Sequence, residues 1–129
     1  MILADTSIWI GHFRSAIPEL QLLLGGNQIA MHPFVIAELA LGSLRDRART
    51  LLYLDLLPQA PVAQLCEVRN MIEARALYSK GIGLTGAHLI ASCLLTPGTP
   101  LWTRDAALVK AAAASGIPIM PALAGGPNP

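Results

Sequence analysis

Acidic side chains stand inside the most apolar stretches of this chain, and that placement limits the folds open to it. Asp5 closes the run Met1-Ile2-Leu3-Ala4. A run so short and apolar reads as a buried strand, and open α/β sheets bind ligands beyond the carboxyl ends of their strands. Glu38 lies in Val35-Ile36-Ala37-Glu38-Leu39, and Asp105 follows Leu101-Trp102-Thr103-Arg104. These are three of only eight acidic residues. A carboxylate among apolar neighbours is costly unless it is paired or holds a metal. The three are therefore the first candidates for function.

The remaining elements follow from caps, breakers and apolar spacing. Thr6 and Ser7 predict the cap of a short helical turn. Ile17-Pro18-Glu19 predicts a second helix, ended by Gly25-Gly26-Asn27. A second strand is expected over Gln28–Met31, followed by a helix from Pro33 to near Gly42. A helix with an Arg-rich face is expected over Arg45–Leu56, broken by Pro58 and Pro61. Helical spacing continues over Ala63–Ser79. Thr85 predicts the cap of a helix from Gly86 to about Leu95. A strand is expected at Leu101–Thr103, then an Ala-rich helix from Asp105 to about Ser115. The last strand falls at Ile117–Met120. Strands alternating with helices predict an α/β fold, with a small parallel sheet flanked by helices on both faces. One domain is expected over residues 1–123, with a disordered tail at 124–129.

In this layout Asp5 and Asp105 both fall at carboxyl ends of strands. Glu38 lies about one and a half turns into its helix. All three can then share one cleft, where carboxylates a few ångströms apart repel one another. A divalent cation relieves that repulsion, and an all-oxygen ligand set favours Mg²⁺ or Mn²⁺ over zinc. Such an ion polarises phosphates and activates water, so a phosphate ester is the substrate class implied. Each acid also has an ordinary role open to it. Asp5 can cap the turn that follows, Asp105 can be the N-cap of its helix, and Glu38 can pair with an Arg.

Composition narrows the partners. Charged residues are 13% of the 129, against roughly 25% in soluble domains. So little polar cover predicts that apolar surface is buried on a second copy or another chain. The net charge of +1 argues against gripping nucleic acid by bulk charge. Arg45, Arg47 and Arg49 read as a solvated helix face with a phosphate contact as the alternative. Trp9 and Trp102 read as core or interface aromatics, and His88 as a hydrogen-bonded structural residue or one facing the cleft. Cys66 and Cys93 read as reduced core thiols, which suits the cytoplasm. The opening residues lack the features of a signal peptide. No run approaches the ~20 apolar residues of a membrane span.

With these segments in order, the chain resembles the PIN-domain ribonucleases, and most closely the VapC toxins of bacterial toxin–antitoxin pairs. The opening Met1-Ile2-Leu3-Ala4-Asp5-Thr6-Ser7 is similar to the family start. His32-Pro33-Phe34-Val35-Ile36-Ala37-Glu38 matches the segment of the second acid. Gly81-Ile82-Gly83-Leu84 with Ala87-His88-Leu89-Ile90-Ala91-Ser92 matches the third motif, and Leu101-Trp102-Thr103-Arg104-Asp105 the fourth. The resemblance covers nearly the whole chain. It implies a PIN-like three-layer sandwich, a metal-dependent endoribonuclease of RNA, a homodimer and a VapB-like antitoxin. By that resemblance Asp5, Glu38 and Asp105 are the catalytic, metal-binding acids, with Mg²⁺ (or Mn²⁺) as cofactor. Thr6 and Thr103 carry over more loosely, as hydroxyls near the metal or phosphate, while Arg104, beside Asp105, has two roles open to it: pairing with that acid or meeting the substrate.

One position departs from the pattern. The third motif of the family has Asp just before Ala-His, and here Gly86 stands in that place. Glycine is poor in a first helical turn, where Asp is favoured. Two readings follow: an inactivating substitution, natural or engineered, or a gap filled by water that leaves metal weakly bound. The leading expectation is an endoribonuclease toxin impaired at its metal site. The alternative is an inactive binding module that only holds an antitoxin or a second copy. A haloacid-dehalogenase-type phosphatase also starts with Asp after an apolar strand, but Ser7 stands where it needs a second Asp.

Overall fold

The computed structural model describes residues 1–120, so the tail expected at 124–129 lies outside the described residues. The chain runs β1 (Ile2–Ala4), α1 (Thr6–Arg14), α2 (Pro18–Gly25), β2 (Ile29–Ala30), α3 (Pro33–Ala40), α4 (Arg47–Asp55), α5 (Leu65–Ala74), α6 (Leu84–Leu95), β3 (Leu101–Trp102) and α7 (Ala106–Ala114). The three strands form one parallel sheet in the order β2-β1-β3. This is the α/β architecture that the sequence predicts.

The strands are short because each must be apolar on both faces, and only brief runs are. Leu3, Ala4, Ile29, Leu101 and Trp102 are buried, and they pack with Ile8, Trp9, Leu20, Val35, Leu89 and Ile90 into one core. Both tryptophans therefore serve packing. A satellite cluster of Ala63, Val68, Ala87 and Ala91 joins α5 to α6.

Register places the site. Ala4 pairs with Trp102, and the Asp5 N–H donates to the Trp102 carbonyl at 2.8 Å. Residues 5 and 103 thus leave the sheet side by side at its carboxyl edge. Nearly a hundred residues of sequence separate them, and two ladder contacts bring them together.

Several expected boundaries shift. The turn after Asp5 is a full helix of nine residues. The helical spacing through Ser79 stops at Ala74, because Ala76 takes a left-handed φ of 51°. There the Leu77 N–H donates to the Ile72 carbonyl at 2.9 Å and closes the helix. The strand expected at Ile117–Met120 is reduced to a single parallel bridge, Leu101 to Ile119. Pro118 accepts from the Leu101 N–H, but it has no N–H to continue a ladder. Cys93 is buried as expected, and burial pushes its thiol up to about 12. Cys66 is exposed, because the phase of α5 turns Val68 inward instead. Among the described residues no helix is long and apolar enough to cross a membrane.

Candidate metal and phosphate cleft

Asp5, Glu38 and Asp105 line one open cleft of about 430 Å³, with Thr6, Ser7, Thr85, Gly86 and Leu108. Asp5 comes from the end of β1, Glu38 from α3, Asp105 from the turn after β3, and Gly86 from the first turn of α6. The three acids share one cleft, as the sequence layout expects.

Hydroxyl groups hold two of the three carboxylates. Asp5 is 8% exposed, and its side chain does not cap α1. Its Oδ2 accepts from Thr103 Oγ1 at 2.6 Å and from Ser7 Oγ at 2.9 Å. Those two hydroxyl oxygens lie 3.3 Å apart, but each has one proton, and both protons go to Asp5. Their lone pairs are used as well. Thr103 Oγ1 accepts from the Asp105 N–H, and Ser7 Oγ from the Arg104 N–H, each at 3.0 Å. Asp5 is thereby locked to the loop that carries Asp105.

Glu38 is held in the same manner. Its Oε1 accepts from Thr6 Oγ1 at 2.6 Å, and its Oε2 from Thr85 Oγ1 at 3.0 Å. The Arg pairing open to Glu38 is not its role. Thr85 is not the cap expected of it either: α6 begins at Leu84 with Gly83 at the N-cap. Asp105 does cap α7, through Oδ1, which accepts from the N–H groups of Ala107 at 3.0 Å and Leu108 at 3.3 Å.

The donor set matches a hard cation in kind. It offers carboxylate and hydroxyl oxygens, which suit Mg²⁺ or Mn²⁺. It falls short in number. Among the described residues no three Asp, Glu, His or Cys side chains converge closely enough to hold an ion. Gly86 marks the shortfall. A Cβ built there would meet Leu108 Cδ1 at 3.1 Å, so a leucine leans toward the space of a longer side chain.

Ser7, Thr85 and Leu108 are the cleft residues whose contacts the sequence did not reveal. A hydroxyl beside or near each acid was the available signal for the first two. Arg104 was expected to meet Asp105 or substrate. Its guanidinium instead lies against α1 so tightly that a Cβ on Gly11 would overlap it. Arg47 leaves the proposed basic run, since it donates to the carbonyls of Ala40 and Gly42 at the end of α3.

Behind the cleft, α3 and α6 bring two buried histidines together. His32 accepts from the Phe34 N–H through Nδ1 at 3.0 Å and so caps α3. The Phe34 and His88 rings lie 4.1 Å apart. His32 Nε2 and both His88 nitrogens have no hydrogen-bond partner among the described residues, which corrects the hydrogen-bonded role expected of His88. Burial, and secondarily the His88 charge, pulls His32 down to about 4; burial lowers His88 as well.

A parallel sheet with acids gathered at its carboxyl edge defines a class, and a family comparison gives that class its name. The PIN-domain model matches residues 2–114, and the chain belongs to that family. It is also similar to Ribonuclease VapC32 of Mycobacterium tuberculosis, in strains H37Rv and CDC 1551. It is 45% identical to each over 117 residues, which is 91% of this chain and 94% of the relative.

Proposed function

We propose that this chain is a VapC-type endoribonuclease of a toxin–antitoxin pair, with a divalent-metal site that Gly86 impairs. The observation that carries the reading is the convergence of Asp5, Glu38 and Asp105 on one cleft at the sheet edge. The relatives named as ribonucleases support the activity. RNA is the substrate and a VapB-like antitoxin the partner, in a cytoplasmic homodimer.

The residues divide the work as follows. Asp5, Glu38 and Asp105 are the acids that would ligate an ion, Mg²⁺ or Mn²⁺, although they stand too far apart here to form a ready-made site. When bound it supplies Lewis-acid polarisation of the phosphodiester and relief of the carboxylate repulsion. Ser7 and Thr103 orient Asp5, and Thr6 and Thr85 orient Glu38, which limits how far these two carboxylates turn as charge develops. Arg104, whose guanidinium packs against α1, is given no substrate contact. Gly86 removes one carboxylate. A charge pair at 4 Å is worth ~4 kcal/mol at an effective dielectric of about 20. Half of that is roughly a 30-fold change in affinity.

RNA cleavage with Mg²⁺ tests the reading. Slow cleavage by the wild type, a gain of roughly 30-fold in metal affinity for Gly86→Asp, and none from Asp5→Asn are expected. No cleavage by the wild type or by Gly86→Asp would remove the nuclease reading. The second reading, an inactive binding module, is favoured by Leu108 closing on Gly86. A melting temperature that high Mg²⁺ does not move supports it.

A further inference from the structure

We propose that the apolar hollow beside the acidic cleft is a subsite for an unstacked RNA base next to the scissile phosphate, with Tyr78 as its stacking platform. The proposal rests on the nuclease reading and adds to it a place where a base is held.

The hollow measures about 250 Å³ and is walled by Ile72, Leu77, Tyr78, Ile82, Leu84 and Ala87. Ile82, Gly83 and Leu84 also line the cleft of the acids, so the two spaces share a wall. The shared wall sets the hollow next to the cleft in which a phosphate over Asp5 and Asp105 would lie. The hollow is smaller than the ~300–1,000 Å³ of drug-sized sites, which suits a flat ring and not a whole nucleotide. Two large side chains stand exposed at it, Tyr78 at 57% and Leu84 at 54%. Single-stranded RNA is held largely by bases stacked on such aromatic faces.

The backbone just before Tyr78 is held by its neighbours. Ala76, in the left-handed region, ends α5, and the Leu77 N–H donates to Ile72. The Leu77 side chain is buried at 5% exposure. Tyr78 therefore follows a backbone segment fixed by Leu77, and lines the hollow with its ring exposed. On the opposite side Gly83 begins α6 with no side-chain cap. A Cβ there would meet nothing within 4 Å, so no side chain crowds the shared wall at this point.

Fluorescence anisotropy tests the proposal, on an Asp5→Asn background in Mg²⁺ so that the probe stays intact. Two probes are compared: a short mixed-sequence single-stranded RNA, and a ribose-phosphate chain of equal length without bases. Tyr78→Ala is expected to weaken RNA binding roughly tenfold or more, leave the baseless chain unaffected, and leave the melting temperature unchanged. Tyr78→Phe is expected to bind like the parent. Equal losses on both probes, or no loss on RNA, overturn the subsite while the nuclease reading stands. A parent protein that binds neither probe overturns the nuclease reading, and the subsite with it.

Discussion

At the scale of single residues, the cleft is a set of hydroxyls spent on carboxylates. Thr103 is the most committed of them. It is 2% exposed, donates to Asp5 and accepts from the Asp105 N–H. Thr103→Val keeps the shape and leaves two polar groups short of a partner. A buried group left unsatisfied costs about 1–3 kcal/mol. Urea unfolding of Thr103→Val should show a loss in that range, and a neutral result would mean that water replaces the hydroxyl. Gly86 is the opposite case, a residue with too little to offer. In Gly86→Asp the new Cβ displaces Leu108 by a few tenths of an ångström, a small strain. It is offset by a better helix former and by a negative charge near the start of α6, worth ~0.3–1 kcal/mol. We expect a near-unchanged melting temperature in chelator and a clear rise in Mg²⁺. A variant melting identically in both conditions would show that residue 86 adds nothing to an ion site.

At the scale of elements, one side chain serves both a helix and the candidate ion. Asp105 caps α7 with Oδ1, while the carboxylate also faces the cleft. Asp105→Ala should cost ~0.5–2 kcal/mol through the lost cap. Asp105→Asn keeps an acceptor and should cost only a few tenths, yet lose cleavage as fully as alanine does. Thermal melting beside a cleavage assay separates the two roles, and an active Asn variant would release Asp105 from the site. The cap was legible in the sequence as one of two roles open to Asp105, since Asp just before an Ala-rich run is a favoured N-cap. The end of α5 was not. Arg75-Ala76-Leu77 keeps helical spacing and contains a strong helix former, so nothing local demands a stop. Burial of Leu77 in the core decides it. Thr85 misled for a related reason: a threonine near a helix start reads as a cap, but the Glu38 side chain, 47 residues away in sequence, claims its hydroxyl. Local rules read caps well and lose to long-range partners.

At the scale of the molecule, the sheet order β2-β1-β3 turns three scattered acids into one cleft, and this much follows from alternating strands and helices. The paired histidines did not follow, because His32 and His88 lie on different helices and meet only in the packed core. Their chemistry makes stability depend on pH. His32 is fully buried and held neutral, with its pKa lowered from 6.5 to about 4 by burial and then by His88. Between those values the unfolded chain takes up a proton that the folded chain refuses. Stability therefore rises with pH across this window. The contribution is fully present above pH 6.5 and is lost as pH falls toward 4. The span of about 2.5 pH units corresponds to roughly 3 kcal/mol at most, with His88 adding in the same direction. Denaturant midpoints taken between pH 4 and 7 should fall steadily on the acid side. His32→Asn, whose side-chain oxygen can still accept from Phe34, should flatten that slope while lowering stability at neutral pH through the lost ring. A slope unaltered in His32→Asn would assign the acid sensitivity to other groups.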